Sequence, residues 1–337
     1  MQMFRLCGCW RMMRRILVVV VVVVVAAASA GSPGCASSAE SSTSSGQKNF
    51  SSPDVAAGSL VDALRKDDEA SLKKILGPAG KEILSSGDKV ADEADGKKFL
   101  ALYDAKHRIQ QEKDGSSTLI VGETDWPFPV PIVKADGGGY VFDTEKGRDE
   151  ILNRRIGRNE LDAQQVCLAI ADAQRDYVAM KPMGGDLPEY AQKLISDPGK
   201  KNGLYWPTAA GEPPSPVGPF VARAAAEGYQ KRESADSPPP PYHGYCYRLL
   251  TAQGPHAQGG AMNYLVNGHL IGGFAVVAYP AEYGNSGIMT FMTNHDGIVY
   301  QRDLGDDTEK AAQSMKEFDP GPEWTKTADG PSLTNAN

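Results

Sequence analysis

The hydrophobic pattern changes character several times along the chain. Residues 16–28 are continuously apolar and follow Arg11, Arg14 and Arg15. A run of about 13 residues is short for ~30 Å of hydrocarbon but right for the apolar region of a secretory signal. Residues 35–49 are Ser-rich with little to bury, which predicts a disordered linker. Helical spacing follows: Val55, Leu60, Val61 and Leu64 after a Ser52-Pro53-Asp54 start, then a second helix over 69–76 that Gly77-Pro78 stops. Shorter helices are predicted over 81–85 and 97–105.

The period then becomes two. Strands are predicted over 117–122, 126–134 and 139–143, with Asp136-Gly137-Gly138 as a turn. Pro127, Pro129 and Pro131 remove amide donors from one edge of the middle strand, so that edge can lie open without recruiting another strand. Helices followed by a curved antiparallel sheet resemble the NTF2-like cone fold. This small α+β domain is assigned to residues 50–146.

A second domain is assigned to 147–325. It opens with a long helix over 148–180, on which Leu152, Ile156, Ala163, Val166, Ile170, Ala173 and Tyr177 form one stripe. Short helices are predicted over 188–195 and 220–228, and extended polyproline geometry over 238–241. Strands are predicted over 245–251, 261–266, 269–278, 287–293 and 298–303, with Asn267-Gly268 and Asp296-Gly297 as turn signals. The expected fold class is α+β, a long helix laid on an antiparallel meander, with a disordered tail over 326–337.

Composition narrows the location. The signal segment 1–34 can end at Ala28-Ser29-Ala30, releasing a soluble protein, or at Gly34-Cys35, where a cysteine followed by a Ser-rich leash looks like a lipoprotein junction. An uncleaved anchor is the third outcome, and Met12 or Met13 can serve as a later start. The reading favoured here is an exported, periplasmic protein tethered to the membrane by lipid at Cys35. Removing the four arginines of the signal lowers 35 basic residues to 31 against 42 acidic ones, so the net charge moves from −7 to −11. Such a surface repels nucleic acid, which needs a basic stripe.

Chemical motifs are sparse. Cys167 and Cys246 can pair in an oxidising compartment or stay as small core residues. Gly284-Asn285-Ser286-Gly287 joins two strands and lacks the spacing and strand-to-helix turn of a nucleophile elbow. No two of His107, His243, His256, His269 and His295 stand at ligand spacing, so no metal or cofactor is expected. The candidate binding loops carry Tyr205, Trp206, Glu282, Tyr283, Asn285, Ser286, His295 and Asp296, which equally suit packing of loops on the sheet.

The words Gly203-Leu204-Tyr205-Trp206-Pro207, Tyr245-Cys246-Tyr247-Arg248-Leu249-Leu250, Tyr279-Pro280-Ala281-Glu282-Tyr283-Gly284-Asn285-Ser286-Gly287 and Asn294-His295-Asp296-Gly297-Ile298-Val299-Tyr300 resemble an exported bacterial family, domain of unknown function 2950. That resemblance implies export and no agreed activity. Arg158-Asn159-Glu160 leading to Ala173-Gln174-Arg175-Asp176-Tyr177, followed by the meander, is similar to the globular part of type IV pilins and pseudopilins. Pilins place this helix directly after a cleaved leader, whereas here a domain intervenes. The expected role is a non-enzymatic binding or assembly component of the envelope whose partner is an envelope protein or a small ligand. The alternative is a secreted hydrolase of an envelope substrate, which needs Glu282, His295 and Asp296 within about 3 Å contact of one another's reach.

Overall fold

The computed structural model describes residues 46–184, 187–229 and 240–327. The signal segment, Cys35, most of the Ser-rich linker, Pro238 and Pro239, and the tail from 328 lie outside the described residues. The last linker residues belong to the fold instead of being disordered. Gln47 Nε2 donates to the carbonyls of Ile75 (2.9 Å) and Phe142 (2.8 Å), and Asn49 Nδ2 donates to Gly138 O (2.6 Å). Polar side chains that find backbone acceptors need no apolar surface to become ordered.

The first helix, α1 (Pro53–Arg65), starts where the Ser52 hydroxyl accepts the Val55 amide, and Pro53 supplies a preset φ at its first position. Then come α2 (Glu69–Leu76), α3 (Gly80–Leu84) and α4 (Lys89–Ala105). The last begins well before the predicted start, because Asp88 caps it by accepting the Ala91 amide. Strands β1 (His107–Gln111), β2 (Ser117–Val121), β3 (Trp126–Pro127), β4 (Ile132–Lys134) and β5 (Tyr140–Phe142) form a sheet of order β1-β2-β4-β5, with β3 also on β2. The predicted strand over 126–134 is broken where its prolines fall, although Phe128 N still donates to Leu119 O (2.8 Å). Strand β1 escaped prediction because His107, Arg108, Gln110 and Gln111 give it no alternation. Leu60, Ile75, Leu119, Val130, Ile132 and Phe142 make this smaller core.

Helix α5 (Thr144–Met180) starts four residues before its predicted start and ends at Lys181, whose φ is +47°. Its first turns belong to the smaller core. A Cβ on Gly147 would stand 2.6 Å from Val130 Cα, and Ile151 packs on that core. From Ala163 to Tyr177 the same helix lines the larger core. A boundary at 146–147 therefore cuts the opening turn of an element that both cores share.

Next come β6 (Lys193–Ile195) and β7 (Gly203–Tyr205), paired in parallel, and α6 (Gly218–Glu227). The helix predicted over 188–195 is absent because its backbone is taken elsewhere: Tyr190 N donates to Leu270 O (2.8 Å) and Ala191 N to Gln174 Oε1 (2.8 Å). Strands β8 (Tyr245–Leu250), β9 (Ala252–Gln253), β10 (Met262–Asn263), β11 (Leu265–Val266), β12 (His269–Leu270), β13 (Ala275–Pro280), β14 (Met289–Asn294) and β15 (Tyr300–Asp303) follow, then α7 (Thr308–Ser314), β16 (Glu317–Phe318) and β17 (Thr325–Lys326). The main sheet is antiparallel in the order β17-β15-β14-β13-β8, and β13 is buried at every position.

The predicted strands over 261–266 and 269–278 are each shorter or split. Asn267-Gly268 does make the two-residue turn between β11 and β12, with φ of +50° and +83°. Lys326, placed in the tail by sequence, pairs with Tyr300. The class is α+β. Among the described residues no helix is long and apolar enough to cross a membrane.

Candidate functional site

The loop between β13 and β14 carries Glu282, Tyr283, Asn285 and Ser286, and it is a seam between the two cores. Asn285 Nδ2 donates to Ser85 O (2.8 Å) and Glu282 Oε2 (2.8 Å), while its Oδ1 accepts from Arg155 Nη1 (2.6 Å). Arg155 also donates to the carbonyls of Glu82 (2.8 Å) and Ile83 (2.7 Å) at the end of α3. Burial lowers the pKa of this guanidinium, and the nearby Asp92 and Asp95 oppose that shift. Ser286 is fully buried, and Asn159 Nδ2 donates to its carbonyl (2.9 Å). Tyr283 donates its hydroxyl to Asp303 (2.9 Å).

His295 and Asp296 stand at the other end of the same hairpin, since Ala275 pairs with Asn294 and Ala278 with Phe291. The strand length puts them roughly 20 Å from Glu282, so these three residues do not assemble one acid–base cluster. His295 turns its ring edge-on to Tyr264 and Phe274, and its Nδ1 is buried without a partner. Trp206 is core, edge-to-face with Tyr177 at 6.2 Å, and Tyr205 pairs with Ile195 across β6 and β7. Of the two outcomes open to Cys167 and Cys246, pairing or staying as small core residues, the structure has the second: both are free thiols. Burial pushes their pKa values up to about 12 and about 11, respectively, so neither is a ready nucleophile.

The surface holds one arrangement that no sequence motif announced. Two adjoining hollows of about 390 and 360 Å³ share Pro216 and Pro219. One wall is α5, through Val166, Ala169, Ile170, Asp176, Ala179 and Met180. The other is the 214–217 loop with the start of α6, through Pro214, Val217, Phe220 and Arg223. The loop is rigidly placed. Val217 N donates to Leu204 O (3.2 Å) and Gly218 N to Ser215 O (2.7 Å), while Pro219 fixes φ at the helix start. Helix α6 has no fully buried residue, so it serves as a surface wall.

A charged cluster lies between α5 and the last turn of α6, one helical turn beyond Val166 of the trough. Tyr242 and Tyr245 exchange both backbone hydrogen bonds around His243-Gly244, whose φ values are +51° and +75°. This is the geometry of a type I′ turn, which asks for Asn or Gly and places a histidine at its tip here. The ring puts Nδ1 2.9 Å from Asp162 Oδ2 on α5 and Nε2 3.4 Å from Glu227 Oε2 on α6. Those hydrogen bonds, Asp162 foremost, raise the His243 pKa against the opposing effect of burial. Tyr242 donates to Glu227 (3.2 Å), and Tyr229 donates to the buried Asp88 (2.8 Å), which also accepts from Gly244 N (2.9 Å). The only clue in the sequence was a lone histidine ahead of a glycine, with partners far away in the chain.

Among the described residues no group of three His, Cys, Asp or Glu side chains is arranged to hold a metal ion. A family model described as Protein of unknown function (DUF2950) matches residues 47–327. No curated protein and no solved structure matches the chain.

Proposed function

The chain belongs to the DUF2950 family of proteins of unknown function, and we propose that it is an exported, non-enzymatic binding component of the bacterial envelope. In this reading the apolar segment 16–28 directs export, Cys35 carries the lipid, and the Ser-rich stretch is the leash. The smaller core with its curved sheet is NTF2-like, and α5 laid on the meander is pilin-like. The single observation that carries a binding role is the trough between α5 and α6.

Its ligand is an extended, apolar stretch of an envelope protein. Both hollows are open along their length, whereas small-molecule sites enclose most of their ligand. From Val166 to Met180 the trough follows α5 for roughly 20 Å, the length of about six extended residues. Prolines offer no amide donors, so recognition falls to apolar side chains seated against Ala169, Ile170 and Phe220.

A photo-crosslinking residue placed at Ala169 or Ala179 of the full chain, in cells that export it, tests this. The expected adduct forms at both positions but not at exposed Lys98 on α4, and mass spectrometry maps it to an extended apolar segment. Equal adducts at all three positions, no adduct, or an adduct to a small molecule overturns the reading. The anchor is tested by mass spectrometry of the mature N-terminus, where an unmodified Gly31 end would sink lipidation.

A further inference from the structure

We propose that protonation of His243 latches the C-terminal end of α6 to α5 and so fixes the α6 wall of the trough. This regulation rests on the trough being the binding site. The latch itself stands on geometry alone. His243 sits between a carboxylate on α5 and a carboxylate on α6, and each ring nitrogen faces one of them. Both contacts are favourable only when both nitrogens carry protons.

Loss of one proton to solvent leaves a neutral ring with one donor. The proton stays on Nδ1, where the 2.9 Å contact to Asp162 is the shorter. The bare Nε2 lone pair then faces Glu227 Oε2, and an attraction becomes a repulsion. Asp162 is thereby kept and Glu227 released.

The other groups around the ring do not replace that bond. Arg223 pairs with Glu227 at 2.9 Å on the same helix, and toward α5 it has only a longer-range attraction to Asp162. Tyr242 keeps one hydrogen bond to Glu227 and a ring contact to Phe220 at 5.1 Å. Tyr229 stacks on His243 and is committed to Asp88. Burial raises the pKa values of both tyrosines, Tyr242 to about 12, so they stay protonated while His243 titrates. No residue of α6 is fully buried. Phe220 packs on the larger core and Tyr229, just past the helix, is bonded to Asp88, so what His243 adds is the tie from Glu227 to α5. Helix α6 carries the Phe220 and Arg223 side of the trough.

The left-handed backbone at His243 makes the role unusually clean to test, since Asn suits that conformation and removes the charge. Amide hydrogen exchange of α6 in the full chain is followed from pH 5 to pH 9, with intrinsic rates corrected. Wild type is expected to lose protection severalfold over residues 224–227 as pH rises through the His243 transition, read independently from its imidazole NMR shifts. His243→Asn and Glu227→Gln are expected to show no such step, and protection over α5 is expected to stay level. A flat wild-type profile, or a step that persists in His243→Asn, overturns the latch. The crosslink from Ala169, measured over the same pH range, separates this from the ligand reading. A step in exchange without any adduct keeps the latch and fails the ligand, whereas a pH-independent adduct with flat exchange keeps the ligand and fails the latch.

Discussion

Helix α5 is gripped from two sides by polar clusters of opposite character. On the smaller-core side, Arg155 and Asn285 bind backbone carbonyls and one another, so the grip is the same at any physiological pH. On the α6 side, His243 spans Asp162 and Glu227, and the grip depends on a single proton. The first holds two cores as one body; the second holds a surface wall. A fold can place a titratable group where only a wall moves and keep permanent charges where the whole molecule depends on the bond.

The strongest way to break this contrast is Arg155→Met. Arg155 is almost fully buried, and its loss leaves the Glu82 and Ile83 carbonyls and the Asn285 amide oxygen without a donor. A destabilisation of about 3–5 kcal/mol is expected in urea unfolding, equal at pH 5.5 and pH 8.5. A smaller but still large effect is expected from Gly147→Ala, whose Cβ would meet the backbone of Val130 and Pro129. That contact is expected to cost about 1–3 kcal/mol, less any gain in helix propensity, again without pH dependence.

His243→Asn sharpens the other side. The folded pKa of His243 is raised, so its contribution is fully present below the unfolded value of about 6.5 and is lost as pH rises through the folded pKa. The variant is expected to be about 1 kcal/mol less stable at pH 5.5, with a deficit that shrinks, without vanishing, as the ring becomes neutral and keeps only its bond to Asp162. A deficit that grows with pH would contradict the raised pKa. The smallest effect is expected from Arg223→Ala, within about 0.5 kcal/mol in thermal unfolding, because Arg223 is mostly exposed and pairs within its own helix.

The sequence was legible where local rules decide. Ser52-Pro53 started α1, the stripe through Ala163, Val166, Ile170 and Tyr177 faced the larger core, and Asn267-Gly268 turned a hairpin. It was illegible where a distant group takes over the backbone. The stretch 188–195 reads as a helix until Gln174 and Leu270 engage Tyr190 and Ala191. Strand β1 is invisible because its polar residues pair with β2 at the sheet edge. Among the candidate site residues, Glu282, Asn285 and Ser286 do share one cluster, as loop residues often do, but that cluster binds the protein to itself.

By itself, the sequence determined the α+β class, the long helix and the acidic character, since each follows from local spacing or composition. Tertiary structure alone decided that α5 belongs to both cores, that the Gly-Asn-Ser-Gly loop is a seam, and that a trough lies beside α6. It also decided the most pointed chemistry. Asp162, Glu227 and His243 come from separate segments of the chain, and only packing brings two carboxylates to opposite sides of one imidazole.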